Sequence, residues 1–194
     1  MALSTVRLQD RPQAVGRLLV ISCGNTGRGD DGLGSAALGC VQRLILLSPV
    51  QGVHIDTDET DQLQIECVLD LVNADLVLVL DAAASGRGPY RFERVHPRKD
   101  LSYTTHALSP AGLLYLFGQL TAELPPPLFL LSIRGYRFAP GTVLSERAFA
   151  NLSGAEELLQ VLLRRPELGA WDRLTGPAAR RRIRAEREGR ATLY

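Results

Sequence analysis

The sequence is poor in cysteine, carries almost no net charge and contains no long apolar run. Its 194 residues include three cysteines, Cys23, Cys40 and Cys67, and their odd number and lack of CxxC spacing argue against a disulfide framework or a self-contained zinc site. The formal net charge of +1 predicts no general affinity for nucleic acid or for a membrane surface. No apolar stretch approaches the length of a bilayer span, and no signal-type segment opens the sequence. We therefore expect a cytoplasmic protein that selects its partners through a local site.

The one glycine-rich loop also lacks the signatures of nucleotide binding. Residues 24–29 read GNTGRG, which is neither the GxGxxG fingerprint nor a P-loop. Asp30 and Asp31 follow directly, and two carboxylates would repel a phosphate group. The loop therefore favours a cation site or an acid–base role over an anion site.

What the sequence does contain is an alternation of short apolar runs with segments of helical period, which is typical of an α/β sheet with helices on its faces. The run at 76–80 is apolar throughout and predicts a central strand that ends on Asp81. Further strands are predicted at 18–21, 53–57, 90–95 and 128–133, and helices at 33–44, at 64–71, after Ser109-Pro110 and after Ser145.

The length of the chain fits one compact domain, which we place at residues 17–165. Residues 1–16 form an N-terminal extension in this division. From Pro166 onward apolar content falls and arginines accumulate, so residues 166–194 are interpreted as an Arg-rich C-terminal tail. We expect this tail to be solvated or a weakly held helix, with a basic docking segment as the alternative.

Three side chains are candidates for chemistry. Asp31 lies in the loop after the first strand, Asp81 ends the most apolar strand, and His106 precedes a helix start. Ligands of open α/β sheets bind outside the carboxyl ends of strands, so Asp31 and Asp81 are expected at the same edge. Two carboxylates and an imidazole would suit a borderline cation such as nickel or zinc, or would activate a water molecule.

Each candidate has a structural alternative. Asp31 could cap the following helix, and His106 could be a surface histidine. Asp81 could end its strand in a turn, but an unpartnered carboxylate beside an apolar run is costly, which favours a function. Cys23 could line the site, yet no paired histidine marks it as a nucleophile.

Several motifs together resemble the hydrogenase maturation proteases. The sequence GNTGRGDDGLG at 24–34 is similar to the N-terminal signature of that family, VLDAA at 79–83 to its second acidic motif, and THALSP at 105–110 to its histidine motif. The segments at 133–138 and 144–145 resemble its last strand and the loop that follows. Three motifs in the same order are more specific than any one of them.

The resemblance covers roughly residues 17 to 163, and QLQIE at 62–66 with HALSP at 106–110 looks most like the branch that serves bidirectional, NAD-coupled hydrogenases. It implies a three-layer α/β/α fold of the phosphorylase/hydrolase-like kind with a twisted, mostly parallel sheet. It also implies that Asp31, Asp81 and His106 are the nickel-recognising positions. The first of these is glutamate in some members, so aspartate shortens the reach by one methylene.

The function implied by the resemblance is an aspartyl-type endopeptidase, monomeric when free, that trims the C-terminus of the nickel–iron hydrogenase large-subunit precursor after nickel insertion. The nickel would be carried by the substrate rather than owned by the enzyme, and Asp31 or Asp81 would act as general base. The main alternative is a non-enzymatic nickel-sensing chaperone or scaffold for hydrogenase assembly. A third interpretation is a different peptidase or hydrolase on the same sheet topology.

Overall fold

The computed structural model describes residues 15–99 and 108–176, which form a five-stranded sheet with helices on both faces. The sheet order is β2-β1-β3-β5-β4; β1, β2, β3 and β5 are parallel, and β4 is an antiparallel edge strand. The predicted α/β class with a mostly parallel sheet is therefore confirmed. The strands are β1 (Arg17–Cys23), β2 (His54–Thr60), β3 (Leu76–Ala83), β4 (Tyr90–Val95) and β5 (Leu128–Arg134); the helices are α1 (Leu33–Leu47), α2 (Cys67–Asp70), α3 (Pro110–Thr121), α4 (Glu146–Arg164) and α5 (Leu168–Asp172).

The central strands are apolar throughout because both of their faces are buried. Leu78 and its alternate neighbours in β3 pack into one core with α1, α4 and α5. Val77 and Val79 pack into a second core with α2 and α3. Successive side chains of a strand point to opposite faces, so a strand between two helical layers needs apolar residues at every position.

Strand β3 continues past its apolar run, and the prediction that it ends on Asp81 is wrong. Asp81, Ala82 and Ala83 remain in register with Ser132, Ile133 and Arg134 of β5. Backbone pairing does not require an apolar side chain, so the end of an apolar run marks the end of burial rather than the end of the strand.

The predicted helix starts at Ser109 and Ser145 are confirmed. The Ser109 hydroxyl oxygen accepts a hydrogen bond from the amide of Gly112 at 3.0 Å, and that of Ser145 accepts one from Ala148 at 3.3 Å. The helix predicted at 64–71 is reduced to the single turn of α2. None of the helices in the described ranges combines the length and the apolar character that a membrane span requires.

The core extends beyond the predicted boundary at residue 165. Trp171 of α5 is fully buried, its ring meets that of Phe129 edge-on at 5.3 Å between centroids, and its indole N–H donates to the carbonyl oxygen of Leu162 at 3.1 Å. Leu174 is buried as well. The expectation of a solvated tail is thus wrong for residues 166–176. Most of the predicted extension and the arginine-rich part of the tail, residues 1–14 and 177–194, lie outside the described residues.

Candidate active site

The two candidate aspartates flank the point where the chain path across the sheet reverses. From β1 the chain passes through α1 to β2 on one side and then crosses to β3 on the other side of β1. In open α/β sheets the loops on either side of such a point diverge and leave room for a ligand at the carboxyl edge of the sheet. Asp31 lies in the turn Thr26–Gly32 that follows β1, and Asp81 lies near the carboxyl end of β3.

Asp81 is half-buried and holds its proton more tightly than an ordinary carboxyl group. The pKa of Asp81 is raised from 3.8 to about 6, mainly by burial and to a smaller extent by the negative charge of Asp31. The amide of Ala82 donates a 2.7 Å hydrogen bond to Asp81 Oδ1 and opposes part of this effect. This effect of Asp31 agrees with its place in the turn after β1, the strand that pairs with β3.

The alternative prediction, that Asp31 caps helix α1, is wrong. The residue at the cap position is Gly32, without a side-chain hydrogen bond. Asp31 Oδ2 instead accepts from the amide of Asn25 at 3.0 Å and closes the loop. Gly24 permits this closure, since its φ is +119° and a Cβ added there would lie 2.1 Å from the carbonyl oxygen of Asp31.

The neighbouring Asp30 has a structural role instead. Its buried carboxylate accepts hydrogen bonds from the amides of Tyr136, Arg137 and Ser145 and from the Ser145 hydroxyl, at 2.6–2.9 Å. Burial alone would raise the pKa of Asp30, but these hydrogen bonds outweigh it and hold that pKa below its ordinary value. The two acidic residues therefore differ in role. Asp30 fixes the loop after β5, whereas Asp31 lines the cleft.

An open cleft of about 390 Å³ adjoins Asp31, and Asp81 is not among the residues that line it. Asp61 and Gln62 of this cleft come from the turn after β2, and Phe138 comes from the loop after β5. The sequence did not identify these three residues, or Arg28, as site residues. Asp61 follows a parallel strand at the same edge, so the rule that located Asp31 would have found it. Phe138 and Arg28 carry no comparable signal in the sequence. The cleft is lined by Asn25, Arg28, Asp31, Asp61, Gln62 and Phe138.

Cys23, which the sequence placed beside the loop, is buried in the core with Cys67. Burial raises the pKa of the Cys23 thiol, and the negative charge of Asp81 adds to this effect. A thiol held in its protonated form is a poor nucleophile. The side chain is part of the core and is not among the residues that line the cleft, so the expectation that it could line the site is not met.

His106 lies outside the described residues, so its predicted role stays a prediction. The chain re-enters the described part of the structure at Leu108, whose amide donates a 2.8 Å hydrogen bond to the carbonyl oxygen of Leu63. Leu63 follows the turn after β2, so Leu108 lies near the same edge of the sheet. Within residues 15–99 and 108–176, no three His, Cys, Asp or Glu side chains are grouped as a metal site.

Comparisons with known proteins find structural similarity alone. No protein-family model and no curated protein matches the sequence. Solved structures do match, among them the hydrogenase maturation protease HycI from Thermococcus kodakarensis KOD1, at 21% identity and a TM-score of 0.55, over 78% of this chain and 95% of that one.

Two further structures give the same result. The hydrogenase maturating endopeptidase HybD from E. coli is 23% identical, with a TM-score of 0.55, over 76% of this chain and 92% of that one. The hydrogenase 2 maturation peptidase from Thaumarchaeota archaeon SCGC_AB-539-E09 is 26% identical, with a TM-score of 0.51, over 74% and 95%. This chain therefore has the α/β fold that these peptidases share.

Proposed function

We propose that this protein is an endopeptidase that removes the C-terminal peptide of a nickel–iron hydrogenase large-subunit precursor after nickel has been inserted. The observation that carries the proposal is the position of the two aspartates at one edge of the sheet: Asp31 lies in the turn after β1 and lines an open cleft, and Asp81 lies near the carboxyl end of the neighbouring parallel strand β3. The fold shared with hydrogenase maturation peptidases supports the substrate class. The motif at 62–66 favours a partner among the bidirectional, NAD-coupled hydrogenases.

Asp81 is the general base of this proposal. A pKa of about 6 leaves the carboxylate mostly ionised at neutral pH and makes it a stronger base than an ordinary aspartate. It takes a proton from a water molecule as the water oxygen attacks the scissile carbonyl carbon. The proton then passes to the leaving amine nitrogen as the carbon–nitrogen bond breaks, and Asp81 is regenerated.

Nickel enters this proposal as part of the substrate. The precursor brings the ion on its own cysteine thiolates, and Asp31, Asp81 and His106 supply oxygen and nitrogen ligands that suit a borderline cation. A precursor without nickel lacks the group that these side chains recognise. Cleavage is therefore restricted to the loaded precursor, which ensures that trimming follows metal insertion.

The test is to incubate the purified protein with nickel-loaded and nickel-free precursor and to follow the mass of the precursor C-terminus. Loss of the C-terminal peptide is expected only from the loaded precursor, and it should be abolished in Asp31→Ala, Asp81→Asn and His106→Ala. His96→Ala is the matched control, since His96 is exposed. A precursor of unchanged length that still binds the protein would refute the protease and leave the chaperone.

A further inference from the structure

A surface beside the cleft exposes apolar side chains. In the loop after β5, Val143 is 78% exposed and Tyr136 is 38% exposed. We call these two residues, with Arg137 and with Arg147 in the first turn of α4, the docking face. A group of exposed apolar side chains next to a functional cleft is typical of a surface that a partner covers.

The docking face is held rigidly. The amides of Tyr136 and Arg137 are bound by the buried carboxylate of Asp30, and the Arg137 guanidinium donates to the carbonyl oxygen of Val143 at 2.9 Å. The amide of Gly141 donates to the carbonyl oxygen of Gly27 at 2.8 Å, which ties the loop to the turn that carries Asp31. The face is thus fixed relative to the cleft and loses little conformational entropy when a partner binds.

The arginines of this region have no carboxylate partner among the described residues. Within the described ranges, neither Arg137 nor Arg147 lies within ion-pair distance of an acidic side chain, and the same holds for Arg28 in the cleft. The Arg147 guanidinium instead lies over the Tyr136 ring, 4.0 Å from its centroid. Other arginines do form ion pairs: Arg17, Arg43, Arg91, Arg94 and Arg165.

We propose that the docking face binds an acidic and apolar segment of the precursor and so positions its C-terminus in the cleft. This inference rests on the proposed function. Charge complementarity selects an acidic partner, because unpaired guanidinium groups attract carboxylates and repel basic segments. The C-terminal segment 177–194 of this chain has the wrong charge to cover the face, since it contains six arginines and two glutamates.

The test compares two double variants that change the same kinds of side chain. Arg147→Gln/Val143→Ser alters the docking face, and Arg164→Gln/Leu124→Ser alters exposed residues at the far end of α4 and in the turn before β5. Single Val143→Ser provides a second docking variant in case the double variant fails to fold, as judged by circular dichroism. For each, kcat and KM are measured with nickel-loaded precursor, and Kd is measured for the precursor in an Asp81→Asn background.

The docking variants should raise KM and Kd about tenfold with little change in kcat, and the control double variant should leave both unchanged. Salt should weaken binding of the wild type more than binding of Arg147→Gln/Val143→Ser, because the variant has lost a charge. Equal KM and Kd in docking and control variants would overturn the inference, as would a fall in kcat alone. If the wild type cleaves no precursor, the proposed function fails, and the Kd values alone then decide whether the docking face binds.

Discussion

Replacing Asp81 by asparagine is expected to stabilise the protein above pH 6 while it abolishes activity. A pKa of about 6 in place of 3.8 means that ionising this carboxylate costs about 3 kcal/mol more in the folded chain than in the unfolded one. Asparagine has the same shape, keeps an oxygen that can accept the Ala82 amide, and carries no charge. The cost of the buried charge therefore disappears from the folded state.

The gain should depend on pH in a defined direction. Between pH 3.8 and about 6 the folded wild type binds the Asp81 proton more tightly than the unfolded chain, so wild-type stability falls as pH rises through this window. At pH 4 the variant and the wild type should unfold at similar denaturant concentrations. At pH 8 the variant should be more stable by up to about 3 kcal/mol, or about 6–12 °C in Tm for a domain of this size.

The assay is urea denaturation of both proteins at intervals from pH 4 to pH 8, with the free energy of unfolding extrapolated to water. Asp61→Asn serves as the control, because its exposed carboxylate should change stability by less than about 0.5 kcal/mol at any pH. A difference between wild type and Asp81→Asn that is independent of pH would refute the reasoning. So would a variant that is less stable than the wild type at pH 8.

Three further substitutions test the surroundings of the site by denaturation. Asp30→Asn should lower the free energy of unfolding by about 3 kcal/mol at pH 7, because it places an amide against four hydrogen-bond donors. The loss should shrink as pH falls through the lowered pKa of Asp30, and an unchanged denaturation midpoint at pH 7 would contradict this. Gly34→Ala should destabilise the protein, since the new Cβ in helix α1 would lie 2.1 Å from the carbonyl oxygen of Cys23. Gly39→Ala in the same helix places its Cβ in open space and should increase stability by up to about 1 kcal/mol. Equal effects of the two substitutions would refute the packing argument. Trp171→Ala should cost about 3–5 kcal/mol, and a loss below about 1 kcal/mol would show that α5 is not part of the core.

The position of Asp31 and Asp81 at one edge of the sheet was predictable from the order of the elements. Each follows an apolar run that is unmistakable in the sequence, and parallel strands bring their carboxyl ends together. The helix starts at Ser109 and Ser145 were equally predictable, because a capping serine accepts a hydrogen bond from an amide only a few residues away. The nickel-binding role of Asp31, Asp81 and His106 remains a prediction.

The division of labour between Asp30 and Asp31 could not be predicted. Both are acidic residues in the same turn, and what separates them is the loop after β5, more than 100 positions away, whose amides bind only Asp30. The burial of Trp171 could not be predicted either. Its sequence context indicates a solvated tail, but its ring lies between α4 and the sheet. In each case a contact with a distant segment determines the environment of the side chain.

By itself, the sequence determined the α/β class, the central strands, two helix caps and the edge of the sheet where the carboxylates lie. These features depend on the periodicity of apolar residues and on hydrogen bonds between near neighbours. Only the tertiary structure decided which aspartate is buried, that Cys23 is sequestered, which side chains line the cleft and where the core ends. These depend on burial and on hydrogen bonds between segments far apart in the chain, which no local pattern encodes.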